Sequence, residues 1–231
     1  MTTLICPVRP GDSNEELRYA IRSWESNLIL PGGLNLMVVG HCPDWLDPDL
    51  FISGNKYASA PLAVFDNVRL GAEAAGEDDA LVMNDDFFCL DPVGAVLPVR
   101  RNVSLAQHIA LFPVNGGGWW PHSLRLTAAW LSRRGIANPD SYEVHRPMPV
   151  SPSRLYETLS DWDGGMDGAV PQWRTMYGAL NRVEAHPVAD AKLGSSATGY
   201  GTPWVSTSDH SWRRFAPGIT PRFQKPSRWE R

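Results

Sequence analysis

Asn84-Asp85-Asp86 closes an apolar run, Ala80–Met83, and stands directly before Phe87-Phe88. Consecutive carboxylates at the end of a buried strand suit a hard divalent cation. Mg²⁺ and Mn²⁺ take oxygen ligands, use one or two protein carboxylates and leave the rest of the shell to water or diphosphate oxygens. A cation held by Asp85 and Asp86 would neutralise charge on a departing group and orient it, with Asn84 forming the turn beside them. The same residue types also make helix caps and Asx-turns, so their place in the fold has to separate the two readings.

Two further side chains carry suitable chemistry. His145, between Val144 and the prolines Pro147 and Pro149, can act as a general base on a hydroxyl, contact phosphates, or simply occupy an ordered loop. Arg174, in Gln172-Trp173-Arg174-Thr175, offers a guanidinium that binds two phosphate oxygens at once. Trp119, Trp120 and Trp204 fall in expected loops, where an indole can stack on a sugar or a base. The chain has no G-x-x-x-x-G-K-[ST], no G-x-G-x-x-G after its first strand, no G-x-S-x-G and no H-E-x-x-H. Readings as a P-loop kinase, dehydrogenase, α/β-hydrolase or zincin therefore lack support.

The elements that must position these groups follow from periodicity. Leu4–Val8 reads as a strand, Asn14 to about Leu28 as a helix capped by Ser13 or Asn14, and Leu34–Val39 as a second strand. Leu17, Ala20, Ile21, Trp24 and Leu28 recur at the spacing of a helix face that covers a sheet. This β-α-β opening predicts parallel strands and an α/β fold. A helix from Asn67 to about Ala75 then leads into the strand Ala80–Met83. In such sheets ligands bind at the carboxyl ends of strands, where the acidic turn falls. Beyond it, Gly116-Gly117-Gly118 predicts a movable loop. Helices are expected from His122 to about Arg134 and over Pro152–Leu159, and an apolar-patterned stretch over Gln172–Leu180. The prolines of 217–231 argue against a helix there.

The 231 residues fit one large domain, read as 1–193, with an irregular segment over 194–231 packed on it or extending from it. Lys and Arg total 21 against 25 Asp and Glu, so the formal charge of −4 gives no global reason to expect a nucleic-acid partner. The charge is uneven, however. Arg213, Arg214, Arg222, Lys225, Arg228 and Arg231 face the single acid Glu230 within 211–231, leaving 6 − 1 = +5. That tail allows a polyanionic acceptor such as a hydroxylated base in DNA, or forms a solvated surface. Three cysteines without C-x-x-C spacing argue against a disulfide framework and a zinc knuckle. The first residues lack a basic stretch followed by a long apolar run, and nothing approaches a membrane span. A cytoplasmic protein is the expectation.

The segment Leu81–Phe88 resembles the acidic motif of the Stealth family of sugar-phosphate transferases, and is similar to the Asp-x-Asp motif of GT-A glycosyltransferases. Glu16–Ser23 looks like the L-R-Y-x-L-R-S run of the same group, Glu143–Pro149 resembles its His-x-Pro motif, and Gln172–Thr175 its later arginine motif. These patches cover roughly 1–30, 75–90 and 140–180. The resemblance implies a GT-A-like, Rossmann-like fold, a nucleoside-diphosphate sugar as donor and Mn²⁺ or Mg²⁺ as cofactor. It places Pro7, Val8, Arg9 and Asp12 at the strand end that faces the base or ribose. Asp66, Asn67 and Arg69 open the following helix within reach of the donor, and His210 completes the metal shell. The expected reaction is transfer of a sugar to an acceptor hydroxyl of a glycan, protein or modified DNA. Sugar-1-phosphate transfer and a non-catalytic carbohydrate or nucleic-acid binding module are the alternatives.

Overall fold

The computed structural model describes residues 1–11, 13–57, 59–77, 79–113, 118–164, 168–194 and 202–231. Asp12 and most of the expected glycine loop before Trp119 lie outside the described residues. The opening unit is β1 (Thr2–Val8), α1 (Glu15–Asn27) and β2 (Leu34–Gly40), with the two strands parallel from Thr2 opposite Leu34 to Val8 opposite Gly40. Leu17, Ala20, Ile21 and Trp24 of α1 are buried, as the three- and four-residue spacing requires. Asn14 precedes α1 in a left-handed conformation, φ 47°, without capping the helix through its side chain. Its amide donates instead to the Arg9 carbonyl, closing the loop after β1.

The chain continues through β3 (Leu50–Ser53), α2 (Ala60–Ala75), β4 (Ala80–Val82), β5 (Phe87–Cys89), β6 (Val99–Arg101), α3 (Leu105–Ala110) and α4 (Trp119–Arg133). It then forms β7 (Met148–Val150), α5 (Pro152–Ser160), α6 (Trp173–Leu180), β8 (His186–Val188), β9 (Trp204–Ser206) and α7 (Asp209–Ile219). The main sheet has the order β3-β2-β1-β4-β7. Its pairings are parallel except for β7, which runs antiparallel to β4. Strand order reverses between β1 and β4, so the crevice of this α/β sheet opens at their carboxyl ends. No described helix is long and apolar enough to cross a membrane.

Several expected boundaries shift, each for a physical reason. α2 begins at Ala60, not Asn67, because Pro61 pre-sets the first turn and Leu62 and Phe65 already face the core. Asp66 and Asn67 are therefore interior helix positions. α4 begins at Trp119, which puts both tryptophans in its first turn rather than in a loop. Trp204 is buried in β9. Residues 217–219 are helical despite Pro217, which falls in the last turn of α7 and forfeits there the one bond its N–H would have made to the Arg213 carbonyl.

Two cores flank the sheet. One packs α1, β5, β9, α7 and the C-terminal residues against β1, and the other packs α2, α4, α5 and α6. The C-terminal end is a clamp on the first core. Trp229 is 2% exposed and donates from Nε1 to Asp49 at 2.7 Å, while Arg22 grips the Glu230 carboxylate with two bonds of 2.6 and 2.7 Å. Of the six basic residues in 211–231, Arg222, Arg228 and Arg231 pair with Asp91, Glu25 and Asp47. Removing the clamp's indole, Trp229→Ala, is expected to cost about 3–5 kcal/mol in urea unfolding. An unchanged midpoint would show that the tail does not support the core.

Candidate functional site

A cavity of about 580 Å³ opens at the carboxyl edge between β1 and β4. Among the sequence-predicted residues, it is lined by Pro7, Arg9, Asn84, Asp85, Asp86, His145 and Arg174. The first turns of five helices reach the same cavity, through Glu16, Pro61, Trp120, Arg174 and Asp209, and α1 and α2 begin there because they follow parallel strands of the sheet. Helix N-termini carry partial positive charge and suit anions.

The acidic turn is held on every side. Met83 N–H continues the β1 pairing by donating to Ile5, Phe87 N–H closes the turn onto the Asn84 carbonyl, and the Trp24 indole donates to the Phe87 carbonyl at 2.6 Å. Pairing of β5 with β9, Phe87 opposite Ser206, brings residues 206–207 against Asp86. Asp86 is 9% exposed, and its Oδ2 accepts bonds from Lys192 Nζ at 2.6 Å and Ser206 Oγ at 2.9 Å. Its other oxygen, Oδ1, is buried with no hydrogen-bond partner. Lys192 also donates to the Ser206 hydroxyl and the Thr207 carbonyl, which fixes the ammonium beside the turn.

Asp85 is 25% exposed, and Arg9 approaches it at 3.9 Å while also pairing with Asp209. Burial, reinforced by the adjacent Asp86 charge, raises Asp85 to about 7, with Arg9 and Lys192 pulling the other way. Glu16 is likewise raised to about 7, first by burial and then by Asp86 and Asp85, although a hydrogen bond from the Thr207 hydroxyl opposes the shift. The cavity floor is thus overfull of carboxylates relative to its cations.

Arg174 is buried at the start of α6 and links two distant parts of the sequence. Its guanidinium donates to the Arg146 carbonyl at 2.9 Å and to Asn84 Oδ1 at 3.4 Å, and it lies over the Trp173 ring at 4.5 Å. Burial lowers it to about 10 despite Glu143, Asp86 and Asp190 nearby, so it remains a cation. Glu143 accepts from the Thr175 N–H and hydroxyl at 3.0 and 2.8 Å, which fixes the first turn of α6.

His145 forms a dyad with Asp190. The carboxylate accepts from the His145 backbone N–H at 2.9 Å and faces Nδ1 at 2.9 and 3.0 Å. Burial alone would raise Asp190, but the bonds from His145 and the Arg101 charge outweigh it and hold the carboxyl well below its usual range. With Nδ1 taken, Nε2 is the nitrogen the ring can offer to the cavity. This is the arrangement a general base needs.

Other predicted residues stand apart from the cavity lining. Val8 is buried in the core beneath it. Asp66 accepts bonds from Asn55, Tyr57 and Arg69, a network that fixes the connection from β3 into α2. Asn67 is wedged between Gly40, φ +111°, and Gly54, where a Cβ at either glycine would overlap its amide. His210 is exposed on the first turn of α7, while its neighbour Asp209 reaches Arg9. Among the described residues, no group of three or more His, Cys, Asp or Glu is arranged to hold a metal.

Sequence reasoning missed Glu16, Glu143, Asp190, Lys192 and Asp209 as site residues. The hydroxyl- and acid-rich run Ser206–Ser211 was the available signal for Asp209, whereas Asp190 and Lys192 sit in no motif. No protein-family model matches the chain, and no curated protein matches it with significant similarity.

A pH dependence follows. Glu16 and Asp85 hold their protons to about pH 7 when folded and lose them near pH 4 when unfolded. Between these values the folded chain binds more protons, so its stability falls as pH rises from about 4 through 7. Glu16→Gln and Asp85→Asn are therefore expected to melt above the parent at pH 8 and close to it at pH 5. Equal or lower melting temperatures at pH 8 would contradict the crowding of carboxylates.

Proposed function

We propose that this protein is a nucleotide-sugar-dependent transferase of GT-A-like architecture. The donor diphosphate lies between the carboxyl ends of β1 and β4, and an acceptor hydroxyl is presented to His145. The observation that carries the reading is Asp86: a buried carboxylate among the residues that line the cavity, with Oδ2 fixed by Lys192 and Ser206 and Oδ1 buried without a hydrogen-bond partner. A buried unpaired oxygen is costly, and a ligand that fills it recovers that cost.

Two adjacent carboxylates with one oxygen unpaired fit Mg²⁺ or Mn²⁺, which need few protein ligands when diphosphate oxygens complete the shell. Asp85 and Asp86 would hold the ion, and when bound it supplies neutralisation of the departing diphosphate. Arg174, buried and orienting Asn84, sets a fixed positive charge beside the same position, and the surrounding helix N-termini favour the anion further. Asp190 keeps Nδ1 of His145 engaged, so Nε2 accepts the proton of the acceptor hydroxyl and the ionised carboxylate steadies the resulting imidazolium. Arg9, between Asp85 and Asp209, stands at the β1 end, where the nucleoside is expected.

The test combines donor binding with turnover. Nucleoside-diphosphate sugars with Mn²⁺ should raise the melting temperature of the native chain. Asp86→Asn should abolish both this shift and metal-dependent donor hydrolysis while retaining a folded far-UV spectrum. His145→Gln should keep the shift and slow transfer by about 10²–10⁴-fold. A product linked through phosphodiester would move the attack from carbon to phosphorus. If no nucleoside diphosphate or its sugar shifts the native protein, the reading falls.

A further inference from the structure

The main sheet divides the cavity into two chemically different halves. On the side of α1 and α7 it presents Glu16, Lys192 and Asp209 beside the acidic turn. The lining residues that α2, α4 and residues 170–172 contribute are uncharged, with Arg174, Glu143 and His145 adjoining them. Val64, Phe65, Val170 and Pro171 form its apolar surface, and Trp119 and Trp120 stand on it as an edge-to-face pair with ring centroids 5.3 Å apart. Trp120 is braced in turn by the His108 ring at 6.3 Å, and His108 is fixed by Ser141 at 2.8 Å. Trp119 is nevertheless 54% exposed. A braced but open indole on the wall of a cavity marks a surface kept for a ligand.

We propose that this wall is the acceptor subsite and that the acceptor is an uncharged saccharide, one ring of which lies against Trp119. The inference rests on the transferase reading of the site and adds the substrate class. Three features select this occupant. The uncharged wall is continuous with the cavity that holds the His145–Asp190 dyad, so a ring seated there brings a hydroxyl into the same enclosure as the base. A pyranose presents an apolar C–H face to an indole while its hydroxyls remain free for polar groups; in the lining, the Gln172 amide already donates to Ser123, which leaves its carbonyl oxygen as the group to accept from a sugar hydroxyl. A polyanionic acceptor would need free lysines or arginines, and Arg174, the cation that adjoins this wall, already donates to the Arg146 carbonyl and Asn84. In the C-terminal segment, Arg222, Arg228 and Arg231 are already paired with acids of the same chain.

The experiment uses a panel of methyl glycosides as probes on the full chain, with binding read by saturation-transfer NMR and transfer kinetics read in the presence of donor and Mn²⁺. Trp119→Ala, a half-exposed position whose loss leaves the core intact, is expected to raise KM for the best glycoside roughly tenfold. The donor-induced melting shift should stay as in the parent, and Trp119→Phe should restore most of the acceptor affinity. Three results would overturn the inference: no glycoside binds the parent, KM is unchanged in Trp119→Ala, or the variant loses the donor shift instead, which would assign the wall to the nucleobase. Efficient transfer to hydroxymethylated DNA with a steep salt dependence, unaffected by Trp119→Ala, would overturn it as well. Glycoside binding is measured without nucleotide, so a failed donor site and a failed acceptor wall give different results.

Discussion

The site depends on one buried carboxylate. Removing Asp86 from water requires compensation, and the chain supplies it from far along the sequence: Lys192 lies 106 residues away and Ser206 lies 120 away. Bringing them there requires β9 to pair with β5, and that pairing delivers Thr207 to Glu16 and the start of α7 to Arg9. The need to satisfy one oxygen of Asp86 thus organises the charged half of the cavity. The other oxygen, Oδ1, is buried without a hydrogen-bond partner.

The second constraint is topological. A sheet whose order reverses between β1 and β4 opens a crevice at their carboxyl ends, and its crossover helices begin at that same edge. Glu16 and Arg174 occupy first turns of helices, as do both tryptophans, so acids, a buried cation and an aromatic wall meet in one enclosure. Positive ends of helices partly offset the mutual repulsion of the crowded carboxylates there. Burial, and after it the neighbouring carboxylates, raises Glu16 and Asp85 there to about 7.

How much of this was legible in the sequence varies with the range of the interactions. The β1–α1–β2 unit could be read because Leu17, Ala20, Ile21 and Trp24 repeat along one helix and the flanking strands are apolar throughout. The strand-end position of Asn84-Asp85-Asp86 was equally readable. The start of α2 was hidden because Ala60–Phe65 is too uniformly apolar to show a period, and its true signal is Pro61. Asp66 and Asn67 looked like an exposed helix opening, yet they lie mid-helix in a hydrogen-bonded network and a glycine-lined niche.

The contacts that turn scattered residues into a site have no local signature. Arg174 reaches Asn84 across 90 residues, His145 meets Asp190 across 45, and Trp229 seals the core through Asp49 across 180. The basic tail read as a free charge patch because the acids that neutralise half of it lie in other elements.

The most direct test of the central claim is an anomalous-difference map from crystals grown with MnCl₂ and a nucleoside diphosphate. The account predicts one Mn²⁺ peak bonded to Asp86 Oδ1, with the diphosphate beside it at the carboxyl ends of β1 and β4. A nucleotide bound elsewhere, or a cavity that stays free of both metal and diphosphate at saturating concentrations, would contradict it.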